Sequence, residues 1–400
     1  MSKSKKVKNK KQNYNKKIKK ELNENIMIFL QTHVDKLDEN KHTKVISDNI
    51  YKRIKKALSE SEKVHHDYVL SDIKAITHKE NKFINKEVLH HIQRQLHYQY
   101  NIMFSYNNIE FYIKIVFDEL PLQIKEYVRY MKWVICLCCS NIKNDKKEKI
   151  HFSIYLTNLI KEIDLSNFEN IIESSHCNSG FSSFHNHLDV CIYRKEEWLK
   201  IFIHECFHIF NMDFSIEDAN IKFSDTFCIQ SEFLIYESFV EFWARVLNCA
   251  IFTYELKKNI SQNDFYKLYR INLDLERIFS LYQANKLLNL FHITYNDVIS
   301  IKKDNTYNKI YKENTNAFCY YVITSIMMNF FDKTIEWFNV HNEDLLYFDK
   351  NENQIELFCH YIKHLSKNQS LIKMFDEINR NYKMNTTKQS MKMILFEVQV

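Results

Sequence analysis

His204-Glu205-Cys206-Phe207-His208 places two imidazoles and a carboxylate within five residues. Positions i and i+4 of a helix share one face about a turn apart, so His204 and His208 can point at a common centre. Glu205 sits roughly 100° round the helix from His204. From there it can handle a water held by the metal without ligating the metal itself. His-Glu-x-x-His on a helix is the arrangement that binds zinc and supplies a general base.

The flanks say how the helix is placed. From Leu199 to Phe210, nearly every position other than these three is apolar, including Ile201, Phe202, Ile203, Phe207 and Ile209. A helix apolar all round is a buried one. Ionisable side chains on a buried helix carry a desolvation cost that a metal partner would relieve.

Elements on either side must position these groups. Leu188 to Arg194 reads as a strand feeding a helix that starts near Lys195, and that helix is expected to fray near Asn211, leaving Asp213-Phe-Ser as a connection. An extended peptide could add itself along such a strand by main-chain hydrogen bonds, so Val190 and Ile192 are candidate substrate-binding residues. Gly180, the sole glycine of the chain, is expected to hold a backbone conformation other residues cannot adopt, and it is a third candidate substrate-binding residue. Ser231 to Asn248 reads as a long helix with one polar face: Glu237, Glu241, Arg245 and Asn248.

A catalytic zinc commonly takes three protein ligands and keeps one position open. Here the sequence resembles the gluzincin metallopeptidases, in which His-Glu-x-x-His is completed by a glutamate on a downstream helix. Glu237 follows His208 by 29 positions and is itself followed at i+4 by Glu241. The resemblance implies His204, His208 and Glu237 as ligands, Glu205 as general base, and Glu241 as the acid that orients a ligating histidine. An oxyanion donor from farther along is also implied, for which Tyr320 and Tyr321 are candidates. The stretch from Gly180 through Arg194-Lys-Glu-Glu-Trp198 is similar to uncharacterised metallopeptidase-like proteins of large DNA viruses.

The rest of the chain reads as follows. Residues 1 to 20 hold ten Lys and no acid, so with a whole-chain charge of +6 the remaining 380 residues carry 6 − 10 = −4. A disordered basic tail is expected over 1–24, able to touch nucleic acid nonspecifically through residues 3–20. A helical region is expected over 25–98, with helices over Thr43–Lys63 and Phe83–His97, and a catalytic domain over 99–400. Tyr100–Ser105 and Ile109–Phe117 read as a hairpin turned at Asn107-Asn108, Pro121 as the start of a helix to Ser140, and Lys149–Leu156 as a strand. Beyond Phe252 the chain reads as almost wholly helical.

Ten Cys in 400 residues, with Cys136 and Cys139 in an apolar run, are expected to be reduced, buried thiols of an intracellular protein. Cytoplasm or a virion would fit, and secretion would not. The longest apolar segment, Ala317 to Phe331, is interrupted by Thr, Ser and Asn, so no membrane-spanning segment is expected. The expected fold is α+β and predominantly helical, a zincin-like core with a small sheet beside the His-Glu-x-x-His helix. The expected function is zinc-dependent hydrolysis of peptide bonds in a protein or peptide substrate. Two other functions fit the same residues: a zinc-binding structural protein without turnover, for example of a virion, and a nucleic-acid-associated protein acting through its tail.

Overall fold

The computed structural model describes residues 43–400 apart from 74–83, 121–122, 140–147, 185–187, 215–222, 224–225, 301–308, 383–386 and 399. The basic tail and Pro121 lie outside the described residues.

The fold is mixed α and β, with helices predominating. Its main sheet has six strands in the order β1-β2-β3-β4-β7-β6. These are β1 (Asp67–Asp72), β2 (Tyr98–Tyr106), β3 (Ile109–Phe117), β4 (Glu148–Tyr155), β6 (Gly180–Ser183) and β7 (Leu188–Ile192). The β2–β3 hairpin turns at Asn107 and Asn108, whose φ values of 50° and 62° are the left-handed pair that a two-residue turn needs and asparagine tolerates. Strand β4 runs parallel to β3 and to β7, and β6 returns antiparallel on β7. A parallel neighbour requires a crossover. Helix α3 (Ile124–Cys139), buried over most of its length, makes it between β3 and β4.

The sheet is larger than the sequence suggests. Strand β1 lies inside the stretch expected to be helical up to residue 98 and pairs with β2. Its residues are largely exposed, so it carries no strict alternation of buried and exposed positions. The two helices of that stretch are α1 (Thr43–Ser61) and α2 (Lys86–Gln95), and α1 packs on α3.

After the four-residue α4 (Ser174–Cys177) come α5 (Trp198–Ile209) and α6 (Ile235–Glu255), which pack on each other, with α5 also against β6, β7 and α3. Helix α7 (Gln262–Asn289) lies against α6, and α8 (Tyr295–Ile299) follows it. A π-helical turn over Phe318–Ile323 leads into α9 (Thr324–Asn329), and then α10 (Phe331–His341), α11 (Glu352–Ser366) and α12 (Gln369–Asn381). The chain does not stay helical to its end. Strand β8 (Lys388–Ser390) pairs with β5 (Glu162–Asp164), and residues 391–398 continue as irregular backbone with bends at Met393 and Leu395.

That last segment is held by buried side chains. Glu197 Oε1 accepts from Met393 N and Ile394 N at 2.7 Å each, and the Glu276 carboxylate accepts from Leu395 N and Phe396 N. Asn248 donates to Phe396 O and Lys286 to Ser390 O. Charged and amide groups therefore perform the pairing that a neighbouring strand would otherwise supply. Among the described residues, no helix is long and apolar enough to cross a membrane.

Candidate metal centre

Helix α5 carries His204, Glu205 and His208, with its other positions sunk among β6, β7, α3 and α6. Nε2 of His204 lies 3.2 Å from Nε2 of His208. From α6, Glu237 brings Oε2 to 3.2 Å from His204 Nε2 and 3.4 Å from His208 Nε2. Ligands about 2.0–2.1 Å from a tetrahedral zinc stand about 3.3 Å from one another, so these three atoms already have the spacing of one face of such a site. Glu237 Oε2 is buried and has no hydrogen bond of sound geometry, although both imidazoles are near it. Two ring nitrogens and an orphaned carboxylate oxygen facing one point form a group that could hold a metal ion.

The outer ring nitrogens are engaged. His204 Nδ1 lies 3.2 Å from Glu241 Oε2, and His208 Nδ1 lies 2.5 Å from Asp213 Oδ2. A hydrogen bond at Nδ1 keeps the proton there and leaves Nε2 with its lone pair toward the centre. Glu241 is anchored in turn by Lys200 Nζ at 2.9 Å and by Arg245 Nε at 2.8 Å. Arg245 also donates to the Tyr320 carbonyl at 2.8 Å, tying the π-helical turn to the same carboxylate.

Charges follow this wiring. Burial opposes charge on His204, yet the nearby carboxylates of Glu237 and Glu241 raise it above the ordinary imidazole value. Burial likewise opposes charge on His208, which Glu237 and Asp213 raise much farther. Burial pushes Glu237 up, and the two imidazoles more than reverse it, holding the carboxyl below the usual carboxylate range. A divalent cation at this point replaces the protons that these groups otherwise share. Glu205 behaves differently. Burial raises its pKa against the pull of both imidazoles.

Tyr320 lies beside the cluster, its ring 5.9 Å from that of His204. Tyr321 does not, because its hydroxyl donates to the Met391 carbonyl on the opposite side of the turn. Neighbouring residues of a helical turn point in different directions, and here it is Tyr320 that faces the cluster.

Val190 and Ile192 are not positioned to bind a substrate. Strand β7 has β4 on one side and β6 on the other, so its main chain is already paired, and both side chains are buried. Strand β6 is the terminal strand of this sheet. Gly180 opens β6, but its φ is not positive. It is glycine because of close approach: a Cβ there would stand 2.9 Å from Cys191 O, 3.0 Å from Ile201 Cγ2 and 3.1 Å from Glu205 Oε1.

Sequence reading passed over Asp213, Lys200, Ser182 and Tyr236. Ser182 Oγ donates to Glu205 Oε2 at 2.6 Å, and the Tyr236 ring stands 6.0 Å from that of His208. Lys200 alone carried a signal, as a lysine one turn before His204 on an otherwise apolar helix. A small cavity of about 30 Å³, room for about one water, opens among Ser179, Gly180, His204, Glu205 and Tyr320. A much larger cavity, about 630 Å³, lies on the sheet around Met103 and Tyr112, and none of the metal-centre residues lines it. Donor chemistry, not cavity size, marks this site.

Set beside known proteins, the chain matches no family model, no curated protein and no solved structure.

Proposed function

We propose that the protein is a zinc-dependent metallopeptidase with a zincin-like core of the gluzincin kind. The observation that carries this reading is the mutual spacing of His204 Nε2, His208 Nε2 and Glu237 Oε2, at 3.2, 3.2 and 3.4 Å, with Glu205 next in sequence to a ligand. Two imidazoles and one carboxylate are a donor set of catalytic zinc sites that keep a position open. Zinc held there would supply Lewis acidity and a water ionised near neutral pH.

The chain's own groups do the rest. Glu205, with its raised pKa, takes the proton of the attacking water and returns it to the leaving amine. Glu241 and Asp213 hold the ligating rings. Tyr320, whose ring lies beside that of His204, is the candidate donor to the developing oxyanion. Strand β6, paired with β7 on one side, could take an extended peptide along its other edge, so unfolded or strand-like segments are the expected substrates.

The test combines metal and activity. Protein purified without a histidine tag should carry about one zinc per chain, lost in the His204→Ala/His208→Ala protein. Glu205→Gln should keep the zinc and lose hydrolysis of a fluorogenic peptide library by orders of magnitude. Equal zinc in parent and double variant, or parent activity in Glu205→Gln, would reject the proposal.

A further inference from the structure

We propose that Ser182 is a positioning residue for Glu205, and that β6 serves as the seat of the base as well as the edge of the sheet. This rests on the hydrolase reading above. Residues i and i+2 of a strand share a face. On β6 the pair Gly180 and Ser182 faces α5, and both meet the same carboxylate. Ser182 Oγ donates to Glu205 Oε2 at 2.6 Å, and the bare Cα of Gly180 lies under Oε1, where a Cβ would come within 3.1 Å.

One residue thus holds the carboxylate and the other makes room for it. A serine hydroxyl has a single proton to give, and here it goes to one carboxylate oxygen. Pinning that oxygen stops rotation about the last side-chain bond, so the direction of the second oxygen is fixed with it. The same strand is the terminal strand of the sheet, so a peptide lying along β6 would run beside the residue that aims the base.

The experiment uses the full chain, a fluorogenic peptide library and crystal structures of parent and variant. Ser182→Ala should keep zinc content and KM and lower kcat by about 10–100-fold, the usual cost of losing an outer partner of a catalytic group. In its crystal structure the Glu205 carboxylate should leave the parent position. Ser182→Thr retains a hydroxyl on a side chain suited to a strand and should restore most of kcat. Parent kcat in Ser182→Ala, or an unmoved Glu205, overturns the role. So does a loss of zinc together with kcat, which would make Ser182 part of the scaffold. A parent that cleaves no peptide overturns the hydrolase reading and this role with it, whereas a parent that cleaves and a Ser182→Ala protein that cleaves equally well overturn this role alone.

Discussion

Asp213 Oδ2 stands 2.5 Å from His208 Nδ1, although Asp213 lies beyond the end of the helix that carries the imidazole. The helix stops at Ile209, and Asn211, with φ 55°, folds the chain back so that Met212 N reaches Phe207 O at 2.9 Å. Phe348 N then binds Met212 O, fixing the return. Asp213 is buried with no freedom to do otherwise. Asp213→Ala should therefore weaken zinc binding by about 10–100-fold in competition with a chelator. An affinity equal to the parent's would mean that packing alone orients His208.

Glu237 and Glu241 should separate by metal affinity and by stability. Glu237→Gln removes a ligand charge and should abolish stoichiometric zinc. Glu241→Gln should retain zinc with lower affinity, but it leaves Lys200 and Arg245 facing a neutral amide in the interior. Breaking a buried charge pair costs about 3–5 kcal/mol, so Glu241→Gln should show the larger fall in Tm. The reverse order in zinc affinity would exchange the two roles.

Glu276 gives the fold a pH dependence away from the metal. Burial pushes its carboxyl up to about 8, although Leu395 N and Phe396 N donate to it. From pH 4.5 to about 8 the unfolded chain has released this proton while the folded chain retains it, so raising pH through that window favours unfolding. Parent protein should lose more Tm between pH 5 and pH 8 than Glu276→Gln does. Identical slopes for the two proteins would show that Glu276 is already ionised at its place beneath the C-terminal segment.

The cysteines should be poor nucleophiles with one exception. All ten are free, nine are buried, and Cys228 is half-buried. Burial pushes Cys136 up to about 12 and Cys139 well above its ordinary value, which leaves almost no thiolate at neutral pH. Alkylation of native protein by iodoacetamide, followed by mass spectrometry, should label Cys228 first. Early labelling of Cys136 or Cys139 would contradict the packing of α3.

Several features of this protein were legible in sequence because they depend on residues close along the chain. His204 and His208 at i and i+4, the Glu241–Arg245 pair at the same spacing, and the Asn107-Asn108 turn are settled by helical rise and by backbone sterics within a few residues. Burial of α5 followed from its nearly all-round apolar residues, whereas the polar face of α6 gave no sign that Glu237, Glu241, Arg245 and Asn248 would be buried too. Placing Glu237 beside the imidazoles needed the gluzincin likeness, and the structure brings the three groups together.

Tertiary structure alone decided the rest. Periodicity identifies a strand but not its neighbours, so it could not tell that β7, with Val190 and Ile192, is interior and β6 terminal. Nor could it choose Tyr320 over Tyr321, since a π-helical turn shifts which residue faces inward. Asp213 reaches His208 through a turn at Asn211, Lys200 reaches Glu241 across two packed helices, and Ser182 reaches Glu205 from a strand. Gly180 is glycine because Cys191 O, Ile201 and Glu205 crowd its Cα, not because of its own φ. In each case the deciding contact joins separate elements, and its geometry is set by how those elements pack against one another.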